Sequence, residues 1–98
     1  MKALDWRELL PSDSALASMS AEELGRVSSL AECEAATIKF GISAIGHIMA
    51  IAAGANQLSQ ETATDLGWLL MSLGKLSERL SETENGIDEE RKRRSKAA

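Results

Sequence analysis

Hydrophobic residues in the second half of the chain recur at alternating intervals of three and four. The members of this row are Leu66, Leu69, Leu73, Leu76 and Leu80. Such spacing is typical of one apolar edge of a coiled-coil helix and predicts a helix over about 60–83. An earlier row has the same spacing, and its members are Ala31, Ala35, Ile38, Ile42, Ile45, Met49 and Ala52. It predicts a longer helix over about 21–53.

Helix stop and start signals lie at the ends of these two segments. Gly54 is predicted to close the first helix in the left-handed conformation, which Asn56 also tolerates. Ser59 is the expected N-cap of the second helix. Ser20 and Glu23 have the spacing of a capping box at the start of the first. The sequence therefore predicts an all-α antiparallel helical hairpin, residues 20–83. Its first turns, over 21–35, carry fewer apolar side chains and are expected to pack less well.

Residues 1–19 are predicted to form an N-terminal arm with a short helical turn that ends before Pro11. Trp6, Leu9 and Leu10 are too apolar for a solvated tail. In one interpretation they fold back and cover an edge of the hairpin. In the other, Trp6 anchors a partner protein, because aromatic side chains dominate the energetics of interfaces. Ser12 is predicted either to lie in a turn or to cap another helix.

Residues 84–98 are predicted to be a charged tail that is either disordered or a frayed extension of the helix. Asn85 and Gly86 are typical of a helix end, and the residues after them offer little to bury. The basic members of this tail are Arg91, Lys92, Arg93, Arg94 and Lys96. They are candidates for contact with nucleic acid or an acidic partner, or else they solubilise the terminus.

Charge is unevenly distributed along the chain. All 15 acidic residues lie within 1–90, which leaves that body with a formal charge of −9 and gives residues 91–96 a charge of +5. An acidic body argues against non-specific binding of nucleic acid by the folded part. The acidic stretch of the first helix is instead a candidate partner-binding surface. Its members are Glu22, Glu23, Glu32 and Glu34.

The composition limits how much core one copy can build. Ninety-eight residues with one Phe, two Trp and no Tyr make a single small domain whose interior rests on Leu, Ile, Met and Ala. A chain of this length buries only about two-thirds of its unfolded surface. We therefore expect a homodimer, with two hairpins forming a four-helix bundle.

The second helix is apolar on more than one side. Trp68, Leu70 and Met71 flank the leucine row and are candidate partner-binding residues, as are Trp6, Leu9 and Leu10 of the arm. In the alternative interpretation, the arm around Trp6 covers this second apolar side within one chain.

Glycines within the helices carry a cost of about 1 kcal/mol each relative to alanine. We expect Gly46 and Gly67 to face each other in a tight helix crossing. On this hypothesis Gly46→Leu or Gly67→Leu destabilises the protein several times more than the same change at Gly25.

The sequence offers little for catalysis or for binding a metal or cofactor. His47 is the single histidine, and we expect it to be packed. Cys33 is expected to be a small, semi-buried residue, because the adjacent Glu32 and Glu34 disfavour a reactive thiolate. His47 and Cys33 would lie about 21 Å apart along one helix, too far to share an ion. We predict that the protein is not an enzyme and needs no cofactor.

These patterns favour a cytoplasmic, non-enzymatic module that binds another protein as an adaptor, chaperone or inhibitor. A lone cysteine suits a reducing compartment. The alternative is a nucleic-acid-associated regulator that uses the basic tail. A membrane-active hairpin built on residues 40–55 is less favoured, since that run is shorter than the roughly 20 apolar residues of a spanning helix. In its pattern the chain resembles short two-helix proteins of bacterial or phage origin.

Overall fold

A computed structural model describes residues 6–97 of the chain and the side chains of residues 7–97. These residues form four helices: α1 (Trp6–Leu9), α2 (Asp13–Ala17), α3 (Ala21–Gly54) and α4 (Gln60–Ala97). No strand occurs among them. Helices α3 and α4 pack against each other as a long antiparallel hairpin, and α1 and α2 lie against its open end. The predicted all-α hairpin is confirmed.

Serine side chains begin three of the helices, as the sequence predicts. Ser20 Oγ accepts a hydrogen bond from the backbone amide of Glu23 at 3.0 Å. Ser59 Oγ accepts one from Thr62 N at 3.1 Å, and Ser12 Oγ accepts one from the first turn of α2. Each bond satisfies an amide that has no partner within its own helix.

The turn between the long helices differs from the prediction at Gly54. This glycine is the last residue of α3, and no glycine among the described residues has a positive φ. Asn56 adopts the left-handed conformation instead, with φ of 61°. Its short amide side chain tolerates that conformation, so Asn56 rather than Gly54 reverses the chain.

Helix α4 continues to Ala97, so the prediction of a helix end near Thr83 is wrong, and residues 84–97 form the helix extension and not the disordered tail. Asn85 and Gly86 lie within the helix. The cost of Gly86 is offset because Ile87, the next residue, is completely buried against α2 and α3. Tertiary packing thereby overrides a local stop signal.

The core lies entirely at the open end of the hairpin. One buried cluster comprises Leu9, Ala31, Ile38 and Leu80. The other comprises Leu16, Leu24, Val27 and Ile87. Since both clusters draw on the arm, we call residues 6–38 and 76–97 the braced half and residues 39–75, around the loop, the distal half. No residue of the distal half is buried.

Packing along α3 is therefore the reverse of the expectation. The first turns are the best packed, because α1 and α2 add Leu9 and Leu16 to them. The predicted glycine crossing is also absent: a Cβ atom on Gly46 or on Gly67 would meet nothing within 4 Å. The premise that these two glycines allow a close approach within one chain is wrong.

Candidate functional site

Large hydrophobic side chains are exposed on the distal half. Their exposed fractions run from 45% for Leu69 to 71% for Phe40, and the full set is Phe40, Ile48, Ile51, Trp68, Leu69 and Met71. At roughly 200 Å² for a fully exposed large side chain, they present about 700 Å² in total, divided between α3 and α4. We call these six residues the distal apolar surface.

On α3 this surface lies opposite the helix–helix seam. Phe40, Ile48 and Ile51 fall on one side of the helix at its 3.6-residue period, with Ala44 between them. Ile38, Ile42 and Ile45 occupy the other side and are buried or half-buried. The distal part of α3 therefore carries apolar side chains on two opposite sides, more than its contact with α4 can bury.

On α4 the outward side carries Trp68 and Met71, which are exposed by 64% and 55%. Leu66 and Leu73 occupy the side toward α3 and are half-buried. Leu70, a candidate partner-binding residue, is also half-buried. The structure thus places Trp68 and Met71 at the surface, on the outward side of α4.

Charge is absent from the end of the hairpin. No Asp, Glu, Lys or Arg lies between Lys39 and Glu61.

The residues considered for metal binding are exposed. His47 is exposed at the loop end of the hairpin, so the expectation that it is packed is wrong. Cys33, in the braced half, is also exposed and not semi-buried. Among the described residues, no group of three or more His, Cys, Asp or Glu side chains is placed to hold a metal ion.

The arm covers the braced half and leaves Trp68 open. Leu9 is completely buried and Leu10 is half-buried. Thr83 Oγ1 donates a hydrogen bond of 2.6 Å to the Leu9 carbonyl, in a buried position. Leu9 is therefore a core residue of this chain and not a free partner-binding residue. The side chain of Trp6 lies outside the described residues.

The acidic candidates lie away from the distal apolar surface. Glu22, Glu23 and Glu32 are exposed and Glu34 is half-buried, all in the braced half of α3. The structure therefore separates an acidic braced half from an apolar distal half, whose two positive and two negative residues cancel in charge. Only the apolar end lacks a cover within the described chain.

The basic segment at the end of α4 is largely occupied by contacts within the chain. Arg93 donates to Glu90 through two nitrogens, and Arg94 Nε donates to the same carboxylate at 2.8 Å. Lys92 lies 3.6 Å from Glu89. Arg91 and Lys96 are exposed. The predicted cationic tail is therefore a helix in which three of the five cations pair with carboxylates.

Arg94 also ties α2 to α4. Its guanidinium donates to the Met19 carbonyl at 2.6 Å and to the carbonyls of Leu16 and Ala17 at 3.4 Å each. A cation at the end of a helix satisfies carbonyls that have no partner there. Hydrogen bonds from Arg93 and then from Arg94 lower the pKa of Glu90. Sequence reasoning missed this clamp, although Glu90 precedes Arg93 and Arg94 by three and four residues, the spacing of paired side chains on a helix.

By length and composition alone, α3 is apolar enough to cross a membrane. Of its most apolar window, 6% is buried within the described structure. A core helix of a soluble protein passes the same test but is mostly buried, so this exposure sets α3 apart from that case.

Comparison of the chain with models of protein families, with curated proteins and with solved structures finds no match. Any functional conclusion therefore rests on the geometry of this chain alone.

Proposed function

We propose that this protein is a non-enzymatic protein–protein interaction module, an adaptor, chaperone or inhibitor, that docks through its distal apolar surface. The observation that supports the proposal is the division of the hairpin. All the buried residues described lie in the braced half, and all the large exposed hydrophobic residues lie in the distal half.

We further propose that the module is homo-oligomeric, with two hairpins combining into a four-helix arrangement. The distal half has a half-buried seam but no buried residue, so neighbouring helices would complete its core. The acidic braced end would remain outside the contact and steer partners that carry positive charge. The single free thiol of Cys33 supports a cytoplasmic location.

Two other functions receive less support. The basic segment would serve as a nucleic-acid contact, but Arg93 and Arg94 are held by Glu90 and by the carbonyls of α2. A hairpin that inserted its loop into a membrane would carry Glu61 and Asp65 inward, since both lie in the first turns of α4. Carboxylates at such depth are costly.

Capture from the native host with mass measurement of the intact complex tests the proposal. The tagged full chain is compared with Phe40→Ser/Ile51→Ser, in which two exposed side chains lose most of their apolar area. Because neither residue is buried, the circular dichroism and the melting temperature of the free protein should be retained. We expect the native chain to form a complex of defined stoichiometry with another protein, and we expect the double variant to lose that complex.

The matched control is Ala36→Ser/Thr37→Ser, at exposed positions of α3 in the braced half. It should retain the complex. A native chain that remains a single copy without any partner would contradict the proposal, as would a complex with another protein that the Phe40/Ile51 variant retains unchanged.

A further inference from the structure

The outward side of α4 carries a row of residues at heptad spacing. Glu61, Trp68 and Lys75 are separated by seven residues each and therefore lie on one side of the helix. Thr64 and Met71 lie between them on the same side. All five are exposed, and they lie opposite the leucine row that packs against α3.

This row is symmetric in position and opposite in charge about Trp68. Glu61 and Lys75 lie about 10 Å on either side of Trp68 along the helix axis. A second α4 that runs antiparallel and crosses at Trp68 would place Glu61 of each copy against Lys75 of the other. Trp68 would meet its own counterpart, and Met71 would face Thr64. The row is thus complementary to itself under a two-fold rotation.

We infer that the α4 side of the distal apolar surface is occupied by a second copy of this chain, related by a two-fold axis at Trp68. The inference rests on the proposed function, because it names the partner of that surface. Charge favours the antiparallel orientation. A parallel pair would place Glu61 against Glu61 and Lys75 against Lys75, and would align the two acidic braced halves.

The contacts within one chain leave this row free. Neither Glu61 nor Lys75 belongs to an ion pair among the described residues. The contact between the two α4 helices would also end where the braced half begins, since Lys75 is the last residue of the row within the distal half. Two helices in contact over two heptads make a small interface, so we expect dissociation in the micromolar range. Phe40, Ile48 and Ile51 on α3 would remain open for another protein.

Sedimentation equilibrium of the full chain at concentrations from about 1 to 500 μM tests the inference, over the range in which a small interface of this kind dissociates. We expect Glu61→Lys and Lys75→Glu each to raise the dissociation constant about tenfold, because each places like charges together at two equivalent positions. The combined variant Glu61→Lys/Lys75→Glu should restore the native value. An equimolar mixture of the two single variants should form a heterodimer, since each then offers the charge that the other lacks.

Lys39→Glu is the matched control, because Lys39 lies as far from the end of α3 as Lys75 lies from the start of α4. The same charge change there should leave the dissociation constant unchanged.

Trp68→Ser should raise the dissociation constant of the dimer at least 30-fold, as expected of an aromatic side chain at the centre of an interface. Circular dichroism of each variant checks that the hairpin is retained.

The outcomes separate this inference from the proposed function. A dimer that Phe40→Ser/Ile51→Ser weakens, but that neither charge variant affects, would overturn the inference and leave the proposed function standing. A chain that stays monomeric yet binds a host protein through the same surface would overturn the inference and the proposed homo-oligomer, and would leave the proposed interaction module standing. A monomeric chain that binds nothing would overturn both. Restoration by the combined charge variant supports the inference.

Discussion

Leu16 packs directly over Gly86. A Cβ atom built on Gly86 would come within 2.8 Å of Leu16 Cδ1, a distance that real side chains do not adopt. Leu16 belongs to the buried cluster with Leu24, Val27 and Ile87, so it has little room to move away. Gly86 therefore gives Leu16 of α2 room to pack against α4, and it lies within the helix and not at its end.

Gly86→Ala is expected to destabilise the protein by about 1 kcal/mol. Alanine would gain up to about 1 kcal/mol in helix propensity. The displacement of Leu16 from a packed cluster would cost about 1–3 kcal/mol, so overpacking outweighs the gain. Denaturant unfolding followed by circular dichroism gives the change in unfolding free energy.

Gly74→Ala in the same helix is the control, because a Cβ atom there would meet nothing within 4 Å. It should stabilise the protein by about 0.5–1 kcal/mol through helix propensity alone. If both alanine variants proved equally stabilising, Leu16 would not pack on Gly86 in solution.

The hairpin could be predicted from the sequence because its signals are local and periodic. The leucine row of α4, the Ser20 cap and the Ser59 cap each lie within a few residues of the structure they determine. The continuation of α4 past Gly86 could not be predicted in this way. It depends on Leu16, which is 70 positions away in the sequence and supplies the packing that offsets a local stop signal.

The site was predictable in outline but not in its boundaries. Apolar residues on several sides of α4 indicated an unpaired surface, and Trp68 and Met71 are exposed as that pattern suggested. Which end of the hairpin the arm covers depends on contacts such as Thr83 with the Leu9 carbonyl. Hydrophobic periodicity does not encode such contacts, so Phe40, Ile48 and Ile51 were missed as surface residues.

Leu9→Ala should destabilise the protein by about 2–5 kcal/mol. Leu9 is completely buried against Ala31, Ile38 and Leu80, and its removal leaves a cavity in that cluster. Met71→Ala truncates an exposed side chain and should change the unfolding free energy of the monomer by less than about 0.5 kcal/mol. Thermal and denaturant melts at low protein concentration measure both. A small effect at Leu9 would mean that the arm does not pack on the hairpin.

Thr83→Val should destabilise the protein by about 1–3 kcal/mol. The valine keeps the shape but removes the hydroxyl that donates to the Leu9 carbonyl in a buried position, and that carbonyl loses its partner. Thr37→Val is the control, because its hydroxyl donates to the Cys33 carbonyl at an exposed site where water can replace it. Hydrogen exchange should also show faster opening of the arm in the Thr83 variant alone.

Acid should loosen the clamp between α2 and α4. Arg93 and Arg94 lower the pKa of Glu90 below its ordinary value of 4.5, so the ionised carboxylate stabilises the folded state above that pH. The contribution is lost as the pH falls through the pKa of Glu90 in the folded protein. Glu90→Gln should therefore destabilise the protein at pH 7, and its difference from the native chain should shrink as the pH is lowered toward 3. Unfolding free energies measured at each pH give this difference.

Glu89→Gln is the control. It alters an exposed carboxylate paired only with Lys92, and its unfolding free energy should differ less from that of the native chain at every pH. A Glu90→Gln effect that stayed constant from pH 7 to pH 3 would show that Arg93 and Arg94 do not hold the carboxylate in solution.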